Sequence, residues 1–314
     1  MKYGFGVDIG GTTVKIAYFD ESGNMLDSWE IPTVKEGSGQ QILPDVAKSL
    51  ENYMTLHSIA RKDLVGVGVG VPGPVNGKGV VNMCVNLGWS RKEVAKELES
   101  LLGLPVKAGN DANVAALGEY WKGSGADFDS MVMATLGTGV GGDIVVEGKL
   151  LHGAHGAGGE VGHMVLNRHE TERCGCGNRG CVEQYCSATG LVRLAKMRLA
   201  KDDAASALRS LACLEAKDVF TAANQGDAVA KEILEQYYDY LGEFLASLCA
   251  IIDPEVVVLG GGVCKAGDVL LDGVRRGFEK FCFSGVKDVK FTVAKLGNAA
   301  GAYGAFKLVL DAFG

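Results

Sequence analysis

The stretch VDIGGTTVKIAYFDESGNML, residues 7–26, reads as strand, glycine turn, strand, turn, strand. Apolar and aromatic residues run up to Ile9. Gly10-Gly11 then mark a turn that a chain without Cβ atoms makes easily, and ESGN marks a second one. The same order returns at residues 134–151, ATLGTGVGGDIVVEGKLL. One unit starts at residue 7 and the other at 134, a separation far beyond the period of a solenoid repeat. The duplication predicts two related α/β halves, each with a glycine-tipped hairpin, and a cleft in which two backbone-lined tips grip a polyphosphate.

The rest of the chain fits two such halves. A helix is expected over about 40–57, and LVGVGVGV (64–71) is a buried strand by its β-branched and glycine content. RKEVAKELESLLG (91–103) is an amphipathic helix closed by Gly103. PVKAGND (105–111) is a short strand and ANVAALGEYWKG (112–123) a helix. Residues 187–253 read as nearly continuous helix, broken at Asp253-Pro254. PEVVVLGGG (254–262) is a buried strand ending in a glycine triplet. A helix over about 266–281, a strand VKFTVAKL and a last helix AAGAYGAFKLVLDA follow.

Composition narrows the function. The net charge of −7 comes without a lysine/arginine run, which argues against a nucleic-acid surface. No run of 18 apolar residues occurs and MKYGFGVDIGG is no signal peptide, so a cytoplasmic protein without membrane association is expected. With 46 glycines against 6 prolines, the glycines point to loops that approach a ligand rather than to linkers. GTGVGG (137–142) and GVGVPG (68–73) match a dinucleotide fingerprint in letters only. A strand follows the first and prolines follow the second, where a helix must start. No Walker-type G-x-x-x-x-G-K-[ST] is present.

Nine cysteines in such a chain do not form a disulfide framework. Cys84, Cys186, Cys213, Cys249, Cys264 and Cys282 are scattered and read as small buried hydrophobes. The other three crowd together with a histidine: His163-x10-Cys174-x-Cys176-x4-Cys181. Four such ligands suit a tetrahedral structural Zn²⁺ with no open position, and glycines at 175, 177 and 180 let the loop bend around it. His57, His152, His155 and His169 have no such company and read as surface or packing residues.

At the first tip, Gly10 and Gly11 can turn N–H groups toward an anion, Thr12 and Thr13 add hydroxyls and Lys15 adds charge. Asp8 fits beside phosphates if Mg²⁺ lies between them; the alternative is a plain tight turn with a capping Asp. Asp111 ends a strand and opens a helix, which suits both an N-cap and a general base.

Together these segments resemble the ROK family of the actin-like ATPase superfamily, over essentially the whole chain and in the right order. DIGGTTVK is similar to its first phosphate motif, TLGTGVGG to its second, LGGGV (259–263) to its adenosine motif and GNDANVAALGE (109–119) to its catalytic segment. E-V-G-H followed by C-G-C-G-N-R-G-C-V-E is similar to its zinc signature and is the most specific of these. Asp143 departs from the pattern, because many relatives continue the glycine run there.

The resemblance implies a two-lobed, duplicated ribonuclease H-like α/β fold with an inter-domain cleft. The first lobe spans 1–116 and is completed by the last helix, 299–314; the second, with the zinc loop, spans 117–298. It implies a hexose kinase of the bacterial glucokinase-like subgroup, using ATP and Mg²⁺ on the 6-hydroxyl of glucose, cytoplasmic and homodimeric. Asp111 would be the base. Asn86, Asn110, Glu160, His163 and Glu183 would meet the sugar, with a turn-forming role open for Asn86. Asp8, Gly10, Gly11, Thr12, Thr13, Lys15, Gly137, Thr138, Gly139, Gly260, Gly261 and Gly262 would hold the nucleotide. The rivals are a kinase for fructose, mannose, allose or an N-acetylated amino sugar, and a sugar-responsive repressor. The repressor needs a DNA-binding segment before a strand that here starts at Tyr3.

Overall fold

The computed structural model describes residues 2–151, 153–154 and 157–314; His152 and His155 lie outside them. The chain divides into two units, one of residues 1–127, 153–156 and 295–314, the other of 128–152 and 157–294. The boundary expected after residue 116 falls inside a helix, Asp111–Lys122, that lies wholly in the first unit.

In the first unit β1 (Tyr3–Ile9), β2 (Thr13–Asp20) and β3 (Met25–Pro32) form the meander. α1 (Ile42–Leu56), β4 (Leu64–Val71), α2 (Val94–Leu102), β5 (Val106–Asn110) and α3 (Asp111–Lys122) follow. The sheet order is β3-β2-β1-β4-β5, with β1 and β2 antiparallel and β1, β4 and β5 parallel. Every residue of β4 is buried. Its glycines let the C-terminal helix, Ala300–Phe313, lie against the sheet: a Cβ on Gly68 would stand 1.6 Å from the Ala305 carbonyl oxygen. Phe306 is fully buried and stacks on Phe19 at 4.9 Å. Truncating it to alanine should cost about 3–5 kcal/mol. Helix α2 starts at Val94, three residues later than the sequence suggests, because Lys92 and Glu93 pair with Val81 and Val80 in a short ladder.

Glu119 on α3 is fully buried, and its carboxylate accepts backbone N–H groups of Ser124 (3.0 Å), Lys295 (3.2 Å) and Leu296 (2.7 Å). Three converging donors satisfy a buried charge that would otherwise be costly. Ser124 lies just before, and Lys295 just after, points where the chain passes from one unit to the other.

The second unit repeats the plan with β6 (Met131–Leu136), β7 (Val140–Val146) and β8 (Lys149–Leu150). α4 (Ala188–Leu199), α5 (Ala216–Asn224), α6 (Ala228–Ile252), β9 (Val256–Gly260), α7 (Asp268–Phe281) and β10 (Lys290–Val293) follow. Its sheet order, β8-β7-β6-β9-β10, is that of the first unit. The helical region 187–253 is three helices; a non-helical stretch holding one 3-10 turn, Ala207–Ser210, separates α4 from α5. Helix α6 is capped by Asp227, whose carboxylate accepts from Ala230 N, and ends at Asp253 in a left-handed conformation before Pro254. Cys84, Cys186 and Cys249 are buried as expected, and Cys264 and Cys282 are half-buried. Cys213 is exposed: it sits in the coil between the 3-10 turn and α5, where no element covers it. No described helix is long and apolar enough to cross a membrane.

Candidate functional site

In both units the glycine loops sit at the carboxyl ends of the parallel strands, the edge where open α/β sheets bind ligands. In the first unit that edge carries Asp8, next to last in β1, the Pro72–Pro74 loop after β4, and Asp111 after β5. Thr33 secures the tip of Gly10–Thr13: its hydroxyl donates to Gly10 O (2.8 Å) and its N–H to Thr12 O (2.9 Å). Asp8 pairs across the ladder with Lys15, whose Nζ donates to Asn298 O at 3.4 Å. Burial raises the Asp8 pKa to about 6; Lys15 opposes the rise and the Asp111 charge adds to it. A buried carboxylate so placed is stabilised by an added cation, which suits Asp8 to a Mg²⁺ held through water and phosphate oxygens.

Asn110, not Asp111, caps α3: its side-chain oxygen accepts from Asn113 N (3.1 Å) and its amide donates to Gly73 O (3.0 Å). Asp111 occupies the first helical position, with Oδ1 accepting from Ala112 N at 2.9 Å. Desolvation raises its pKa, against the backbone N–H groups that lower it. The result is a partly exposed carboxylate with heightened affinity for a proton. Asn86 stands exposed on a 3-10 turn, Val85–Leu87, next to Gly88 in the left-handed region.

In the second unit, Gly137–Gly139 turn between β6 and β7, and the glycine triplet after β9 abuts them. A Cβ on Gly261 would stand 2.4 Å from Leu136 O. The Thr189 hydroxyl donates to Thr138 O (2.7 Å) and Ala188 N to Gly137 O (2.8 Å). Beside Thr138 opens a cavity of about 650 Å³, lined among others by Thr189, Arg193, Lys196, Leu214 and Ala216. Nothing local in the sequence marks it, since its walls come from segments far apart in the chain. Asp143 is 2 % exposed in mid-strand, opposite Met133.

The His/Cys loop lies in the same unit. His163, Cys174, Cys176 and Cys181 bring one donor atom each within 4.8 Å of one another. The Cys176 and Cys181 sulfurs are 3.7 Å apart, and Cys174 Sγ is 4.0 Å from His163 Nδ1. A tetrahedron with Zn–S distances of about 2.3 Å has edges of about 3.8 Å, whereas a disulfide closes to about 2.05 Å. The donor set therefore fits zinc. With Nδ1 toward the cluster, the other ring nitrogen of His163 is left for a second partner. Cys174 N–H donates to Asn178 O (2.8 Å), and Gln184 Oε1 accepts from Gly180 N and Cys181 N (2.8 and 3.1 Å). Glu170, at the loop's base, accepts from the Tyr185 hydroxyl and from Arg193 Nη2. Burial works against its charge, yet those partners carry its pKa down to about 2. Glu160 is exposed, one residue before the 3-10 turn that carries His163. Glu183 Oε2 accepts from Val140 N (3.2 Å), and its Oε1 stands 3.6 Å from Cys174 Sγ. His57 and His169 are exposed, as expected; His57 packs on Tyr53.

Comparison with known proteins agrees with this geometry. The family model described as "ROK family" matches residues 4–312. A glucokinase of Halalkalibacterium halodurans is 41% identical over 97% of this chain and 94% of its own length. An N-acetylgalactosamine kinase of Shewanella sp. strain ANA-3 is 33% identical over 96% of this chain and 94% of its own. A solved ROK family glucokinase from Streptomyces griseus, in complex with glucose and AMPPNP, superposes with a TM-score of 0.74 at 35% identity, covering 98% of each chain. The duplicated sheets thus have the actin-like fold of such proteins, and the chain belongs to the ROK family.

Proposed function

We propose that the protein is an ATP-dependent hexose kinase, with glucose at its 6-hydroxyl as the favoured acceptor. The observation that carries the reading is Asp111. It is a carboxylate of raised pKa at the carboxyl edge of the sheet, near Asp8, in a chain 41% identical to a glucokinase. The sugar hydroxyl gives its proton to Asp111 as its oxygen bonds to the γ-phosphorus. The bond from that phosphorus to the β,γ-bridging oxygen breaks, and ADP leaves. Such transfer depends mainly on positioning and charge neutralisation.

Gly10–Thr13, Lys15 and Asp8 serve the phosphates and a Mg²⁺ ion, and Asn86 and Asn110 serve the sugar. Gly137–Gly139 and the triplet Gly260–Gly262 serve the nucleotide. The cavity beside Thr138 accommodates its base. Glu160, His163 and Glu183 accept from or donate to sugar hydroxyls. Zinc, when bound to His163, Cys174, Cys176 and Cys181, supplies rigidity to this loop and no reacting group.

The test is ADP release by a coupled assay over glucose, fructose, mannose, allose and N-acetylated amino sugars. Glucose should give the highest kcat/KM. A higher value for an N-acetylated sugar would move the reading to an amino-sugar kinase, and no turnover with any of them would overturn it.

A further inference from the structure

The residues from Cys181 to Thr189 begin at a ligand of the His/Cys cluster and end on the first turn of α4. Within those nine residues the chain grips the second glycine tip from both sides. Glu183 Oε2 accepts from Val140 N, while Ala188 and Thr189 donate to the carbonyls of Gly137 and Thr138. The same glutamate lies two residues after the cluster ligand Cys181, with Oε1 3.6 Å from Cys174 Sγ. Gly139 shows how tightly the carboxylate is seated: a Cβ there would lie 2.0 Å from Glu183 Oε2 and 3.0 Å from its Cδ. The three heavy atoms nearest that Cβ all belong to Glu183, and Gly139 is not in the left-handed region. Glu183 is the side chain that an alanine at 139 would meet first.

We propose that Glu183 is a positioning residue for the nucleotide hairpin: it holds the Gly137–Gly139 tip against the metal loop, so that metal and nucleotide binding strengthen each other. The proposal rests on the reading that this tip receives nucleotide phosphates. Beyond any contact with sugar, it gives Glu183 a part in nucleotide affinity. Reciprocity follows from linkage: if the loaded loop favours nucleotide, nucleotide favours the loaded loop by the same factor.

The experiment measures ADP binding by calorimetry, without sugar, to the full chain carrying its metal, in the wild type and in E183A, E183Q, G139A and the E183A/G139A double variant. Metal content is measured on each. E183A should weaken ADP about tenfold, in line with loss of one charge-assisted hydrogen bond, and E183Q, which keeps an acceptor for Val140 N, by much less. G139A should also weaken ADP about tenfold in the wild-type background, yet add nothing in E183A, where the obstructing carboxylate is gone. ADP should slow metal loss to a chelator in the wild type and not in E183A. Additive losses in the double variant, or E183A within about twofold of a wild type that binds ADP, would overturn the proposal. A wild type that binds neither ADP nor ATP would overturn the nucleotide reading beneath it.

Discussion

The two glycine tips share a sequence theme and a place in their sheets, yet they are supported differently. The last ladder pairs below the tips are Ile9–Val14 and Leu136–Val140. One step further down stand Asp8–Lys15 in the first unit and Thr135–Gly141 in the second. The first tip thus carries a charged pair of its own, and Asp111 lies close enough to push the Asp8 pKa upward. The second has no ionisable pair at that level and is held from outside, by Glu183 and the first turn of α4. The duplicated plan gives each unit one glycine tip; side chains give a charged pair to the first, and attachment to the His/Cys loop and a cavity to the second.

The largest effect should come from the charged side. Asp111→Asn should lower kcat by about 10²–10⁴ while nucleotide and sugar binding stay near wild type. A kcat within about threefold of wild type would remove Asp111 as base and erase the asymmetry. Next comes the metal loop. Cys176→Ser should lower zinc content and raise the sugar KM by about 10- to 100-fold. Zinc loss with an unchanged sugar KM would show that the metal does not order the sugar-facing residues.

A smaller effect follows from the buried acid of the first tip. The folded pKa of Asp8 is about 6 against an ordinary 3.8, so the folded state holds a proton that the unfolded chain releases between those values. Stability therefore falls as pH rises through that window. In magnesium-free buffer at pH ~7.5, Asp8→Asn should stabilise the protein by on the order of 1–3 kcal/mol, with the gain gone by pH ~3.5. Thermal melts across that range check it, and a destabilised variant at neutral pH would mean that Lys15 outweighs burial. The smallest effect is expected at the second tip. Thr138→Ala should raise the nucleotide KM about fivefold, for one neutral hydrogen bond, and leave kcat unchanged. A fall in kcat instead would bring the second tip into the chemistry and narrow the contrast.

Much of this architecture was readable in the chain because it is written in short-range pattern. The two hairpins, the buried run LVGVGVGV, the break at Asp253-Pro254 and the ligand spacing of His163, Cys174, Cys176 and Cys181 each occupy one continuous segment. Strand period, turn chemistry and metal-ligand identity act over a few residues, so letters in order suffice. Other features depended on residues far apart in the chain. Glu119 looks like one more helix residue until Lys295 and Leu296 arrive to fill its carboxylate. Glu183 shows no tie to the second glycine tip until Val140 and Gly139 are found against it, and the cavity beside Thr138 exists only once α4 and the residues before α5 stand beside it. Even locally, the choice of Asn110 over Asp111 as cap turned on which side chain could also reach Gly73. Hydrogen bonds and close packing are satisfied by whatever the folded chain brings within about 3 Å, and that proximity is set by the packing of whole sheets and helices rather than by neighbours in sequence.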